Sequence, residues 1–366
     1  MDMNNYMERS TVLVEALPYI QKWYGKTIVI KYGGNAMISE ELRSAVISDI
    51  ILLHLVGVRV VMVHGGGPEI GHMLEKVGKQ SRFVDGLRYT DEETMDIVQQ
   101  VLCGKVNKHL VSIINNLGGK AIGLCGLDGA LFQAKKLDEK YGLVGKIVKV
   151  APQVVNDALS CGYIPVISTV ALGIDNDTAY NINADTAAAE LAISLGAEKL
   201  ILLTDVRGVL RDPKDDSTLI RQIRLEEVPS LLSSGVIGGG MIPKIQCCVN
   251  ALEHGVHRTH ILDGRIPHSS LRCCPIRELG RCCGSERRIL GPAALGSQNG
   301  ETTADCAHGP SGAAHLRLRS MFFPAKPGKT WIRNSFPPCG AGNSARLFVR
   351  GKECGDCDLC RIEGPG

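Results

Sequence analysis

The chain has 366 residues, 44% of them hydrophobic and 22% charged, with a formal net charge of +3. That length suits two domains or one large α/β unit, and the ordinary composition argues against fibrous and wholly disordered classes. No apolar run approaches the length of a membrane span, and Met1-Asp2-Met3-Asn4-Asn5 lacks the basic-then-apolar design of a secretory leader, so a cytoplasmic protein is expected.

Charge and cysteine divide the chain at about residue 270. After Ser270 there are 14 Lys and Arg against 8 Asp and Glu, whereas the preceding stretch carries 27 against 30. Nine cysteines lie in the later part and five (Cys103, Cys125, Cys161, Cys247, Cys248) in the earlier, where their apolar settings suit reduced core thiols.

In chain order, Tyr6 to Trp23 shows apolar residues at helical spacing, with Pro18 expected to interrupt or kink the helix. Ile28-Val29-Ile30 then reads as a buried strand ending in Lys31, followed by Gly33-Gly34 and a helix from about Glu40 to Leu55. Glycine lets backbone N–H groups approach an anion, a helix N-terminus favours negative charge, and lysine adds a full positive charge. A lone strand, turn and helix of this kind is common, so by itself it leaves a solvated strand-end lysine as the equal alternative. The device repeats: strand Val58–Val63 runs into His64-Gly65-Gly66-Gly67-Pro68 and a helix from Glu69 to Val77. Strands apolar on both faces, alternating with helices, predict a parallel sheet covered on each side, with ligands at the carboxyl ends of the strands.

Phe83 to Tyr89 reads as a hairpin or strand bearing Arg88, and Thr90 with Glu93 has capping-box spacing ahead of the helix Asp91 to Leu102. Arg88 is either a surface arginine or a guanidinium that grips a carboxylate with two parallel hydrogen bonds. A second helix to about Leu117, a strand at Ala121–Leu124, a β-hairpin within Leu131–Val150, a helix Pro152–Ser160 and a strand Tyr163–Ser168 follow. Asn181-Ile182-Asn183-Ala184-Asp185 opens an alanine-rich helix with more polar groups than one cap requires. Strand Lys199–Thr204 ends in Asp205-Val206-Arg207-Gly208. Helix Leu225–Ser234, the turn Gly238-Gly239-Gly240 before helix Lys244–His254, and strand Arg258–Leu262 complete the pattern.

Two lysines at glycine turns and an aspartate fit phosphoryl transfer, which asks mainly for positioning and positive charge. Gly25-Lys26-Thr27 and Gly328-Lys329-Thr330 are not P-loops, because Ile20 and Phe323 stand where the leading glycine belongs.

The strings IVIKYGGNAM, VVMVHGGGPEI, DGLRYTDEETMD, YNINADTAAAELA, LILLTDVRGVL and GGGMIPKI, in this order over about residues 6–268, resemble the N-acetylglutamate kinases of the amino acid kinase family. The form IKYGGNAM behind a helix resembles their arginine-regulated, hexameric branch. The resemblance implies a three-layer α/β/α sandwich with a mostly parallel sheet. Residues 1–25 would be an oligomerisation arm, about 26–190 an acceptor-binding half and about 191–268 a nucleotide-binding half. It implies ATP with Mg²⁺ as nucleotide, N-acetyl-L-glutamate as acceptor, a homodimer or hexamer, and neither nucleic acid nor membrane as partner. Lys31, Lys244 and Asp185 would be catalytic. Gly66, Gly67, Arg88 and Asn181 would bind the acceptor, and Gly33, Gly34, Thr204 and Asp205 the nucleotide. Other acceptors of the family (aspartate, glutamate, carbamate, UMP) and a catalytically impaired product with an altered C-terminus that only binds nucleotide or a partner remain as alternatives.

The resemblance stops after His268. Residues 269–366 show no sustained helical or strand period and are rich in Arg, Cys, Gly and Pro. That composition suits a shifted reading frame, and a disordered tail is expected. Cys354, Cys357 and Cys360 have metal-ligand spacing without the second ligand pair of most structural zinc sites, so no metal is expected there.

Overall fold

A computed structural model of the chain describes residues 3–33, 39–175, 177–212, 214–272 and 288–290. The helical spacing at the start becomes α1 (Met3–Trp23), which runs through Pro18 without ending there. The first β-branched run is β1 (Thr27–Tyr32), then come α2 (Glu40–Leu55), β2 (Arg59–His64) and α3 (Gly67–Lys76). A short hairpin of β3 (Phe83–Val84) and β4 (Leu87–Arg88) leads into α4 (Glu92–Gln99) and α5 (Asn107–Asn116). The stretch joining those two helices, Gln100–Val106, is a π-helix, where two α-helices in succession were expected.

Next are β5 (Ala121–Gly126), the hairpin β6 (Phe132–Lys136) and β7 (Gly145–Val150), and α6 (Gln153–Ser160). The long strand β8 (Ile164–Gly173) is followed by β9 (Ala179–Asn181), the alanine-rich α7 (Ala184–Ser194) and β10 (Lys199–Thr204). The second half adds β11 (Gln222–Arg224), α8 (Val228–Ser233), α9 (Met241–Glu253) and β12 (Arg258–Asp263). Two short elements fall inside the stretch expected to carry none: α10 (Ser269–Arg272) and β13 (Arg288–Leu290). The rest of that stretch, with Cys354, Cys357 and Cys360, lies outside the described residues, as does Gly34.

The strands form one sheet in the order β11-β13-β12-β10-β1-β2-β8-β6-β7, with β5 and β9 also pairing β8. Its centre is parallel: β1 pairs β2 on one side and β10 on the other, and β2 pairs β8 and β10 pairs β12 in the same sense. Alternate residues of each strand face opposite layers. Ile28, Ile30, Tyr32, Val60 and Met62 pack with Val46, Ile47 and Ile50 of α2 and with Leu74 and Leu110 of α3 and α5. Val29, Val61, Val63, Leu200 and Leu202 pack with Val155 of α6, Ala187 and Leu191 of α7, and Ile245 and Cys248 of α9. The expected three-layer sandwich is therefore the architecture. Among the described residues no helix is long and apolar enough to cross a membrane.

Two consequences position the site. The chain leaves β1 toward β2 and β8 in its first half and occupies the other flank, β10 and β12, only later. The strand order thus reverses between β1 and β10, the place where open α/β sheets bind ligands at the carboxyl rim. Lys31 pairs Val63 and Leu202 in register, so the ends of β2, β1 and β10 lie side by side on that rim.

Candidate active site

Lys31 shares the face of Val29, which is covered by α7, and there it meets the first turn of that helix. Asn183 caps α7, its Oδ1 accepting the N–H groups of Asp185 and Thr186 at 2.9 and 3.1 Å. This frees Asp185 of capping duty. Its Oδ1 lies 2.9 Å from Lys31 Nζ and its Oδ2 accepts from Lys244 Nζ at 2.9 Å. Burial would raise the Asp185 carboxyl, but the two ammonium groups outweigh it and hold the carboxyl below its usual range. The Asp185 carboxylate is therefore ionised throughout the neutral range.

Two cavities open at this rim. One, of about 480 Å³, is lined by Lys31, Gly33, Gly65 to Gly67, Arg88, Asn181 and Asn183 among others. The other, of about 510 Å³, is lined by Asp205, Gly208, Gly238, Gly240 and Lys244 among others. Each cavity therefore holds one lysine of the pair, and Asp185 links them.

In the first cavity Arg88 is held on three sides. Its Nη2 donates to the Gly67 carbonyl at 2.9 Å, its Nη1 donates to the Ser81 hydroxyl, and its guanidinium lies 4.8 Å from the centre of the Phe83 ring. Phe83 and Arg88 are register partners across the β3–β4 hairpin, so the stack follows from the strand pairing. Asn181 Nδ2 donates to Thr90 Oγ1 at 3.2 Å, and that hydroxyl donates to the Arg88 carbonyl at 2.9 Å. Gly66 needs its missing side chain: a Cβ there would stand 2.6 Å from Leu102 Cδ2 of the π-helix. At Gly33 a Cβ would stand 3.2 Å from Lys31 Nζ.

On the other side, the Thr204 hydroxyl is engaged in its own turn, donating to the Val206 carbonyl at 3.0 Å and accepting its N–H at 3.1 Å. Thr204 thus shapes the loop that carries Asp205, and its side chain does not line the cavity. Sequence reasoning passed over the neighbouring strand end. There Arg265 grips Asp263 through Nε and Nη2 at 2.9 Å each, and Asp263 is the register partner of Thr204. An aspartate, a glycine and an arginine closing a buried strand were the available signal. It also passed over His64 and Asn107, both buried, whose contact is 3.1 Å.

Two cavities joined by a Lys–Asp–Lys bridge, at the switch point of an open α/β sheet, have the arrangement that phosphoryl transfer requires. The sequence profile of the Amino acid kinase family matches residues 26–263. The chain belongs to that family. Over 271 residues it is 59% identical to a protein of Clostridium beijerinckii named acetylglutamate kinase, an alignment covering 74% of this chain and 95% of the relative. It is 55% identical over 277 residues to the acetylglutamate kinase of Heliobacterium modesticaldum, covering 72% of this chain and 94% of that one. Among solved structures it is similar to N-acetylglutamate synthase from Neisseria gonorrhoeae complexed with coenzyme A and N-acetyl-glutamate. That likeness has a TM-score of 0.64 at 27% identity and covers 77% of this chain and 63% of that one.

Proposed function

We propose that this chain, in the cytoplasm, phosphorylates the γ-carboxylate of N-acetyl-L-glutamate with ATP, giving N-acetyl-L-glutamyl 5-phosphate and ADP in arginine biosynthesis. The observation that carries the reading is the pairing of Lys31 and Lys244 on one aspartate, each lysine in its own cavity.

The acceptor enters the cavity of Arg88, about residues 26–190, and the nucleotide the cavity of Lys244, about residues 191–268. Arg88 pairs with the α-carboxylate of the acceptor, and Asn181 binds the same molecule. Backbone N–H groups of Gly66 and Gly67 face it; Gly33 lines this same cavity beside Lys31, where the γ-phosphoryl group would reach it, and the Thr204–Asp205 loop serves the rest of the nucleotide. A γ-carboxylate oxygen attacks the γ-phosphorus in line. The new O–P bond forms as the bond to the β–γ bridging oxygen breaks, and that oxygen leaves with the electron pair on ADP. The carboxylate is already ionised at neutral pH, so no base has to remove a proton. Lys31 and Lys244 neutralise charge on the equatorial oxygens, and Asp185 keeps both ammonium groups aimed.

Both oxygens of Asp185 are occupied by lysines, and among the described residues no group of three or more His, Cys, Asp or Glu is placed to hold a metal. Mg²⁺ would be carried in on the nucleotide's phosphates. The exposure of Val12 (63%), Leu13 (74%) and Val14 (70%) on α1 supports an oligomer built through that helix, which light scattering tests.

The experiment is ADP release by the full chain with N-acetyl-L-glutamate, glutamate, aspartate, carbamate or UMP as acceptor. Turnover with N-acetyl-L-glutamate at least tenfold above the rest is expected. Equal or greater turnover with another acceptor would overturn the substrate.

A further inference from the structure

His64 closes β2 and is completely buried, one residue before the glycine wall of the acceptor cavity. Its Nδ1 lies 2.9 Å from the carbonyl oxygen of Gly65, which can only accept, so Nδ1 carries the proton. Its Nε2 lies 3.1 Å from Asn107 Nδ2. The orientation of that amide is fixed from outside, because the same nitrogen faces the carbonyls of Val166 at 2.8 Å and Leu124 at 3.2 Å. Burial lowers the imidazole pKa to about 4, so the ring stays neutral in one tautomer at physiological pH.

We infer that His64 is a positioning residue: by drawing the Gly65 carbonyl into the protein interior, it turns the Gly66 N–H toward the acceptor cavity. The step follows from peptide geometry. The chain has no cis peptide among its described residues, and in a trans unit the C=O of one residue and the N–H of the next point in opposite directions. A carbonyl held on a buried ring therefore aims the following N–H away from the core. The Gly65 N–H is itself tied to the Tyr32 carbonyl at 3.1 Å, which fixes the preceding peptide as well.

Asn107 holds the ring while also binding the Val166 and Leu124 carbonyls. Its Oδ1 is buried with no hydrogen-bond partner among the described residues, a cost that calls for a compensating role. The amide stands against Gly123, where a Cβ would lie 2.0 Å from Oδ1. It joins the start of α5 to β2, β5 and β8 at one point.

The inference rests on the phosphoryl-transfer reading, and N-acetyl-L-glutamate-dependent ADP release by the unaltered chain tests that reading separately. Two variants of similar size divide the ring's two contacts. In His64→Asn the amide nitrogen falls where Nδ1 was and keeps the Gly65 carbonyl. In His64→Gln the amide reaches only the place of Nε2 and keeps Asn107. His64→Gln is expected to lose kcat by about tenfold to a hundredfold, with both KM values within about threefold, while His64→Asn stays within about threefold in kcat. Equal losses in the two variants, or full kcat in a folded His64→Gln, would overturn the inference. Long-range proton–nitrogen correlation on the unaltered chain with labelled histidine decides it even if neither variant folds. A proton on Nδ1 of His64 is expected, and a proton on Nε2 instead would overturn it.

Discussion

Lys31 and Lys244 reach the same carboxylate from two different elements, a strand end and a helix, and each stands 2.9 Å from its own oxygen of Asp185. Their ammonium groups are thereby held a fixed distance apart, set by the width of one carboxylate. Asp185→Asn keeps the shape but presents an NH₂ group to one of the two cations. A fall in kcat of about a hundredfold is expected. Removing the charge from a mostly buried triad should also lower stability by about 3 kcal/mol. Lys31→Ala should remove most turnover while acceptor affinity changes far less. Steady-state kinetics and urea unfolding of the two variants check these outcomes, and undiminished kcat in Asp185→Asn would sink the clamp.

Arg88 differs from a solvated arginine in having its fork fixed by the Gly67 carbonyl, Ser81 and the Phe83 ring. Lysine reproduces the charge but not the planar fork or the stack. Arg88→Lys is expected to raise the KM for N-acetyl-L-glutamate tenfold or more (about 1.4 kcal/mol) and to leave the KM for ATP unchanged. A parallel rise in both values would place the arginine outside the acceptor site.

Gly66→Ala should push its new methyl group into Leu102, since the Cβ would stand 2.6 Å from Cδ2. The cost is expected at about 1–3 kcal/mol, with a loss of turnover as the π-helix is displaced from the cavity wall. Leu102→Ala in the same chain makes room, so the double variant should recover part of the turnover lost by Gly66→Ala. Without recovery, the clash is not the cause.

Stability should fall as the pH is lowered from neutral. His64 has a pKa near 4 in the folded chain against 6.5 when free. Above 6.5 the ring is neutral in both states; below it the unfolded chain binds a proton that the folded chain excludes until about 4. The loss across that window is on the order of 3 kcal/mol. His260, also buried, is lowered in the same direction by desolvation and then by Lys199 and Arg258, and so adds to the trend. Asp185, with its pKa lowered from 3.8, acts only in a more acidic range. Urea midpoints at several pH values, for the unaltered chain and His64→Asn, check the assignment, because the variant should show the shallower slope.

Much of this architecture is legible in the sequence because a parallel sheet writes itself as apolar runs. Val58–Val63 and Lys199–Thr204 could be read as buried strands without any contact being known. The glycine turns and the two lysines were legible for the same reason, since they stand where such strands end. The π-helix was not, because Val101, Leu102 and Val106 repeat closely enough to continue an α-helical pattern. The division of labour in Asn181-Ile182-Asn183-Ala184-Asp185 was also hidden. Only the folded chain separates the residue that caps from the one that clamps. His64 was read only as part of its turn, because nothing in a histidine that ends an apolar run shows that both of its nitrogens are engaged.

The sheet has one further property, at its far edge. β13 enters between β11 and β12, antiparallel to the first and parallel to the second, with Ile289 opposite Ile223 and Thr259. A gap of this kind recognises main-chain N–H and C=O groups plus one inward apolar side chain, which is a low-information requirement. Arg288-Ile289-Leu290 meets it although these residues lie beyond the stretch matched by the family profile. A chain ending before residue 288 would leave β11 unpaired and two strand edges open.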